Sequence, residues 1–211
     1  LNWGNSVNPE GLPGFQELSF DSGGVAIDQN GQTFTFELGV FASGFLPDAS
    51  NADLWGDNWL ALDSTTYSPA LNYFTGSYNL GVADASLAGE RAYIWVYNNV
   101  LADETSEWFL ATGDVDLTIA TDNNWLVPDY VGGGGGTPPG TFDWRLSTAN
   151  LAVWGGLNGG AGDGVQQVDP GTYELQTFAV DAIPEPSAAT FALLGAGALA
   201  GRRRRCLARR R

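Results

Sequence analysis

From Thr33 to Val40 the chain reads Thr-Phe-Thr-Phe-Glu-Leu-Gly-Val, polar and apolar positions in alternation. Successive side chains of a strand point to opposite faces, so this period of two predicts a half-buried β-strand. Phe15 to Phe20 and Thr172 to Val180 alternate less strictly and predict strands of the same kind. Ala92-Tyr93-Ile94-Trp95-Val96-Tyr97 is apolar on both faces and reads as a central strand, with small aliphatic residues to one side and aromatic rings to the other. Leu71 to Leu80, Glu107 to Ala111, Val115 to Ala120 and Thr141 to Leu146 complete the expected strands. Turn-forming residues lie between them: Asp21-Ser22-Gly23-Gly24, Asn30-Gly31, Asn98-Asn99, Gly113-Asp114 and Asp169-Pro170-Gly171. Asn30-Gly31 predicts a hairpin joining Val25–Asp28 to Thr33–Val40. A helical period is confined to a short stretch near Asp48 to Trp55 and to the C-terminal region.

The pattern therefore predicts one all-β domain over residues 1–181, an antiparallel β-sandwich or jelly-roll-like body, followed by a single C-terminal membrane helix. Residues 131–140, with Gly132 to Gly136 followed by Thr-Pro-Pro-Gly, are expected to be a loop inside this domain. The segment behind them is too short to bury a good core alone. A phosphate-cradling loop is excluded, because no Gly-Lys-Ser/Thr ending follows and the chain has no lysine.

Charge is distributed unevenly. The chain has 24 acidic and 9 basic residues, and seven arginines lie beyond Gly201. Before Ile183 only Arg91 and Arg145 stand against 23 acids (24 less Glu185), a balance of −21. A body of this charge repels nucleic acid and anionic lipid, so no nucleic-acid partner is expected.

Missing residue types restrict the chemistry further. Without histidine there is neither a Ser-His-Asp triad nor a histidine metal site. Without lysine there is no Schiff base, and the single cysteine, Cys206, lies in the arginine tail, so the body has no thiol nucleophile. Paired carboxylates, as in glycosidases, remain; Glu17, Glu37, Glu107 and Glu174 fall on predicted strands, and the solvated face is their expected place.

Two binding features merit weighing. Of the eight tryptophans, Trp95 and Trp108 sit on apolar strands and are expected in the core. Trp55, Trp59 and Trp125 have polar neighbours and are the candidates for exposure, where an indole either anchors a loop, the favoured role, or stacks on a sugar ring. Asp114 and Asp116 alternate on one segment and are weak calcium candidates, since calcium takes several oxygen ligands; no other cofactor is expected.

The last stretch carries the most specific signal. Pro184-Glu185-Pro186 is followed by an uncharged small-and-apolar run from Ser187 to Gly201 and then by the arginines. The prolines fix φ and keep the motif extended. Within the run, Ala188, Phe191, Leu193, Leu194 and Leu199 are the expected membrane-helix residues; the run falls short of the about 20 residues that usually span a bilayer. A positive tail is retained on the cytoplasmic side, which puts the body across the membrane. This order over residues 182–211 resembles the PEP-CTERM sorting signal of exported bacterial proteins, with Pro184, Glu185 and Pro186 matching the motif and Arg202, Arg203, Arg204 and Arg205 the basic end. The resemblance implies processing by an exosortase-type membrane protease. It also implies an inner-membrane precursor, and then a place at the cell surface or in the extracellular matrix of a Gram-negative bacterium, with exopolysaccharide as a partner. Because Leu1 is not an initiator methionine, the secretory leader is expected to be removed or to lie before this sequence.

These features together lead to the expectation of an exported, non-enzymatic surface or matrix protein. The alternatives are a carbohydrate-binding module and, less favoured, a carboxylate-dependent glycosidase. With no cysteine before Cys206, the stability of the folded body should not respond to reductant. Denaturant curves with and without dithiothreitol check this, and superimposable curves with a strand-dominated circular dichroism spectrum are the expected result.

Overall fold

The computed structural model describes residues 1–5, 19–27, 31, 33–68, 73–113, 125–128, 143–157, 160–161 and 174–180. The chain divides into two units, Leu1–Asp181 and Ala182–Arg211, and all the described residues belong to the first. They are predominantly β, with one four-residue α-helix, α1 (Trp55–Asn58).

The largest sheet is built around the two stretches with the clearest pattern. Strand β6 (Ala92–Tyr97) lies between β3 (Thr35–Phe41) and β7 (Glu107–Gly113), antiparallel to both. Beyond β3 runs β4 (Trp59–Thr65), with a register shift between Leu38 and Gly39. On the far side of β7, two strands share its edge end to end: β9 (Ala149–Trp154) pairs with Leu110–Gly113, and β13 (Phe178–Ala179) with Glu107 and Trp108. Two smaller sheets complete the fold. In the first, β1 (Asn2–Gly4) lies between β5 (Thr75–Ser77) and β8 (Asp143–Arg145). In the second the order is β11 (Gly160–Ala161), β10 (Gly156–Leu157), β12 (Leu175–Gln176) and β2 (Ser19–Phe20).

The expected all-β class is found, but the pairing is mixed. Strands β1 and β8 are parallel, as are β2 and β12. Each parallel pair joins strands distant in sequence, a placement that local periodicity does not encode. The expected Asn30-Gly31 hairpin is also corrected. Val25–Ile27 turns back on β2, with Ala26 bridging Phe20 and the Ile27 N–H donating to the Ser19 carbonyl, while β3 takes β4 and β6 as neighbours. The reason is local: one Asp21 carboxylate oxygen accepts from the Gly23 and Val25 N–H groups at 2.9 and 2.7 Å, so the chain already turns between Asp21 and Val25, ahead of Asn30. The predicted strand from Thr172 to Val180 is divided at Thr177, whose two sides enter different sheets. Val115 to Ala120 and the loop 131–140 lie outside the described residues.

Alternation gives the main sheet two unlike faces. Phe36, Leu38 and Val40 of β3, Ala92, Ile94 and Val96 of β6, and Phe109 and Ala111 of β7 share one core. The same core contains Trp3 of β1, Trp144 of β8, Phe74, Leu157 and Leu175, so both smaller sheets contribute to it. Burying each of these larger side chains is worth about 1.5–3 kcal/mol. The other face is aromatic. Phe41, Tyr93, Trp95 and Trp108 are buried there, under a six-residue 3-10 segment (Ala49–Leu54), kinked at Asn51, that runs into α1. Asp48 begins that segment, accepting from the Ser50 N–H at 2.7 Å while its own N–H donates to the Asn51 side chain.

Gly76 shows how tightly the indoles are seated. It lies opposite Trp3 in the β1–β5 pair, and a Cβ there would meet the Trp3 indole and stand 2.6 Å from an Asp63 carboxylate oxygen. Gly76→Ala should cost about 1–3 kcal/mol, because neither the buried ring nor its hydrogen-bonded carboxylate has room to move. Gly81→Ala, whose nearest neighbour would be 3.7 Å away, should stay within about 0.5 kcal/mol. Urea unfolding midpoints of the two variants provide the measurement.

Candidate functional site

The aromatic face is the candidate site. Trp95 lies within it, fully buried, with Trp59 and Trp108 each 5.3 Å away and near perpendicular and Tyr97 at 4.8 Å. Among the described residues the Trp95 N–H has no hydrogen-bond partner, and perpendicular ring neighbours leave it only the weak attraction of π faces. Trp55 descends from α1 onto this floor, stacked on Trp108 at 5.3 Å and edge-on to Phe41, Trp95 and Trp154.

The three tryptophans expected to be exposed separate here. Trp55 is fully buried: its polar neighbours Gly56 and Asp57 occupy the exposed side of the helical turn while its own ring points inward, N–H bonded to Asn51 at 2.8 Å. Trp125 is also fully buried, at the opposite face of the main sheet, against Gly113 and stacked 6.0 Å from Trp144, its N–H donating to Thr148 at 3.3 Å. Neither ring has a face available to a sugar. Trp59 alone of the three remains half-buried. Its N–H donates to Glu37 Oε2 at 2.7 Å, and Glu37 also accepts from the Tyr97 hydroxyl.

The strand glutamates depart from the expected solvated face. Glu174 is buried and accepts from the Asn5 side chain at 2.9 Å. Glu107 accepts from the Ser22 N–H at 3.0 Å and the Thr177 hydroxyl at 2.9 Å, tying β7 to the segment where the last strands part. Glu37 is held as described, and Glu17 lies outside the described residues. The partners of these carboxylates come from other strands and turns, which period-two reading of a single strand does not reveal. Arg145 is equally committed: it pairs with Asp143 at 2.6 Å and donates to the Asn5 carbonyl and the Tyr73 hydroxyl. Among the described residues, no group of three or more acidic or cysteine side chains is placed to hold a metal ion; Asp114 and Asp116 lie outside them.

The model of the PEP-CTERM protein-sorting motif matches residues 182–205. The chain carries this sorting motif. The motif implies processing by exosortase, a membrane protein, with a membrane-associated precursor that is then exported to the cell surface. The match lies wholly within the second unit and describes none of the β body. No similar protein was found among curated sequences and none among solved structures. The residues that carry the PEP-CTERM signal, Pro184, Glu185 and Pro186, the helix positions Ala188, Phe191, Leu193, Leu194 and Leu199, and Arg202 to Arg205, lie outside the described residues. Among the described residues no helix is long and apolar enough to cross a membrane.

Tyr97 gives this face a measurable property. Burial, followed by the negative charge and hydrogen bond of Glu37, pushes its phenol well above the usual value. Burial raises Tyr93 and Tyr78 as well, Tyr78 with help from its bond to Asp84. The unfolded chain releases these protons near pH 10 and the folded protein holds them longer. Stability is therefore undiminished by these groups below about pH 10 and falls as pH rises from there through the raised folded values. Urea midpoints between pH 8 and 12 should show this decline, and Tyr97→Phe should make it shallower.

Proposed function

We propose that this is an exported cell-surface or matrix protein of a Gram-negative, exopolysaccharide-producing bacterium, held first in the inner membrane and released from it by exosortase. The observation that carries the reading is the sorting-motif match at residues 182–205, in which Pro-Glu-Pro precedes an apolar run and a block of arginines. The run from Ala188 to Ala200 acts as a temporary anchor; its short length and Ala/Gly-rich composition suit a segment that is discarded.

The body works outside the cytoplasmic membrane without catalysing a reaction. Supporting this are the absence of histidine and lysine from the sequence and the engagement of Glu37, Glu107 and Glu174 in hydrogen bonds that join structural elements. The architecture is read as a sandwich, with the aliphatic face of the six-stranded sheet closed by residues of the two smaller sheets. A second reading, a carbohydrate-binding module of the surface, is favoured by one observation: Trp59, unlike Trp55 and Trp125, is only half-buried.

The test is made in a host with an active exosortase. Intact-mass analysis of surface-released protein should show a dominant species that has lost the apolar run and the arginine block. A dominant surface species still carrying the arginines would overturn the proposal. Replacing Pro184, Glu185 and Pro186 together by alanine should leave the precursor in the inner membrane.

A further inference from the structure

Trp59 is the first residue of β4 and projects onto the aromatic face of the main sheet, where β3 carries Gly39 between Glu37 and Phe41. A Cβ at Gly39 would stand 2.5 Å from Trp59 Cζ2 and 2.8 Å from Cη2, so the six-membered part of the indole rests on bare backbone. The ring is fixed on its other sides too. Its N–H is bonded to Glu37, Phe41 stands 5.0 Å away at 63°, and Trp95 stands 5.3 Å away at 84°. Trp55 makes ring contacts with Phe41, Trp95, Trp108 and Trp154, and none with Trp59 or Tyr97. The cover supplied by α1 thus stops short of this end of the face, where Trp59, Glu37 and Tyr97 are all half-buried. Seated at Gly39 on one side, Trp59 still keeps part of its surface exposed to solvent.

We propose that Trp59, Glu37 and Tyr97 form a binding subsite for a neutral pyranose unit of a polysaccharide. A sugar ring presents an apolar C–H face that stacks on an indole, and here the indole is already immobilised, so little side-chain freedom is lost on binding. An ionised carboxylate offers about four lone-pair positions; the Trp59 N–H and the Tyr97 hydroxyl engage Glu37 and leave acceptor capacity for a sugar hydroxyl. Charge selects the class of sugar. Glu37 itself and the balance of −21 before Ile183 oppose uronic-acid or sulfated chains. A single half-exposed indole beside an acceptor also suits a pyranose better than a quaternary ammonium, which is best enclosed by several converging rings. The proposal rests on the export reading for the setting in which polysaccharide is met. Binding by purified protein and processing of the tail are separate measurements, so either can fail alone.

The experiment uses the full chain in a sugar-free detergent, with cellohexaose, dextran and mannan as neutral probes and polygalacturonate and tetramethylammonium as controls. Tryptophan oxidation by N-bromosuccinimide is mapped by peptide mass spectrometry. Trp59 should be protected severalfold by at least one neutral probe, whereas Trp154, the other half-buried tryptophan, should react equally with and without it. Affinity for that probe, from fluorescence titration, should fall roughly tenfold in Trp59→Ala, the scale of an aromatic stacking contact. Glu37→Gln and Tyr97→Phe, which keep the ring seat intact, should weaken it severalfold and decide the matter if Trp59→Ala does not fold. Failure of every neutral probe to protect Trp59 overturns the proposal. So does equal protection by polygalacturonate or tetramethylammonium, or unchanged affinity in folded Trp59→Ala or, where that variant does not fold, in both conservative variants.

Discussion

Burying an indole imposes two demands at once, room for a large flat ring and a partner for its N–H, and this fold is arranged around meeting both. Room comes from glycine: Trp3 lies on Gly76, Trp59 on Gly39 and Trp125 on Gly113, each occupying the place a Cβ would take. Partners come from elsewhere in the chain. The N–H of Trp3 reaches Asp63, that of Trp55 Asn51, that of Trp59 Glu37, that of Trp108 the Asn99 carbonyl, and that of Trp154 the Phe178 carbonyl. Each such bond joins a ring in the interior to a turn or a second strand, so the hydrophobic term and the hydrogen-bond term fix the same geometry. Trp95 is the exception: other aromatic rings surround it, and among the described residues its N–H has no hydrogen-bond partner.

Much of the main sheet was legible in the sequence. The run Ala92 to Tyr97 announced a strand buried on both sides, aliphatic on one and aromatic on the other, and that is how β6 sits between its two cores. The alternation from Thr33 likewise became β3, and the short helical stretch after Asp48 lies where expected. Strands β4 and β9 were not anticipated. Both pair with only one strand of the main sheet, and Leu60 and Leu151 are exposed on them, which blurs the apolar periodicity that marks better-covered strands. The parallel pairs and the division at Thr177 depend on partners far away in sequence, and neither leaves a local trace.

The candidate site was legible only in part. Polar neighbours made Trp55, Trp59 and Trp125 alike in the sequence, yet one helical turn and one glycine seat bury two of them and leave the third half-open. Tyr97 was recognisable as the aromatic end of a central strand, but its connection to Glu37 arises from neighbouring strands in register, with Thr35 opposite Tyr97 and Glu37 opposite Trp95. Polar side chains on strands are read as solvated by default. Here the Trp59 indole and the Tyr97 phenol required an acceptor, and the half-buried Glu37 serves both.

The parallel pairings bear on the order of events during biogenesis. Strand β1 takes β8 at Asp143–Arg145 as one of its two neighbours, and β2 takes β12 at Leu175–Gln176, so both early strands rely on partners far along the chain. Such closure carries a loop-entropy cost that only late contacts offset, and it slows folding relative to a chain of nearest-neighbour hairpins. A polypeptide threaded across a membrane from its N-terminal end therefore cannot complete this topology while its final strands are still in the cytoplasm. It emerges as an open chain that hairpins such as β6–β7 can nucleate, and it closes only once Leu175 and Gln176 have crossed. The connectivity thus delays closure of the body until its last strands lie on the same side of the membrane as its first.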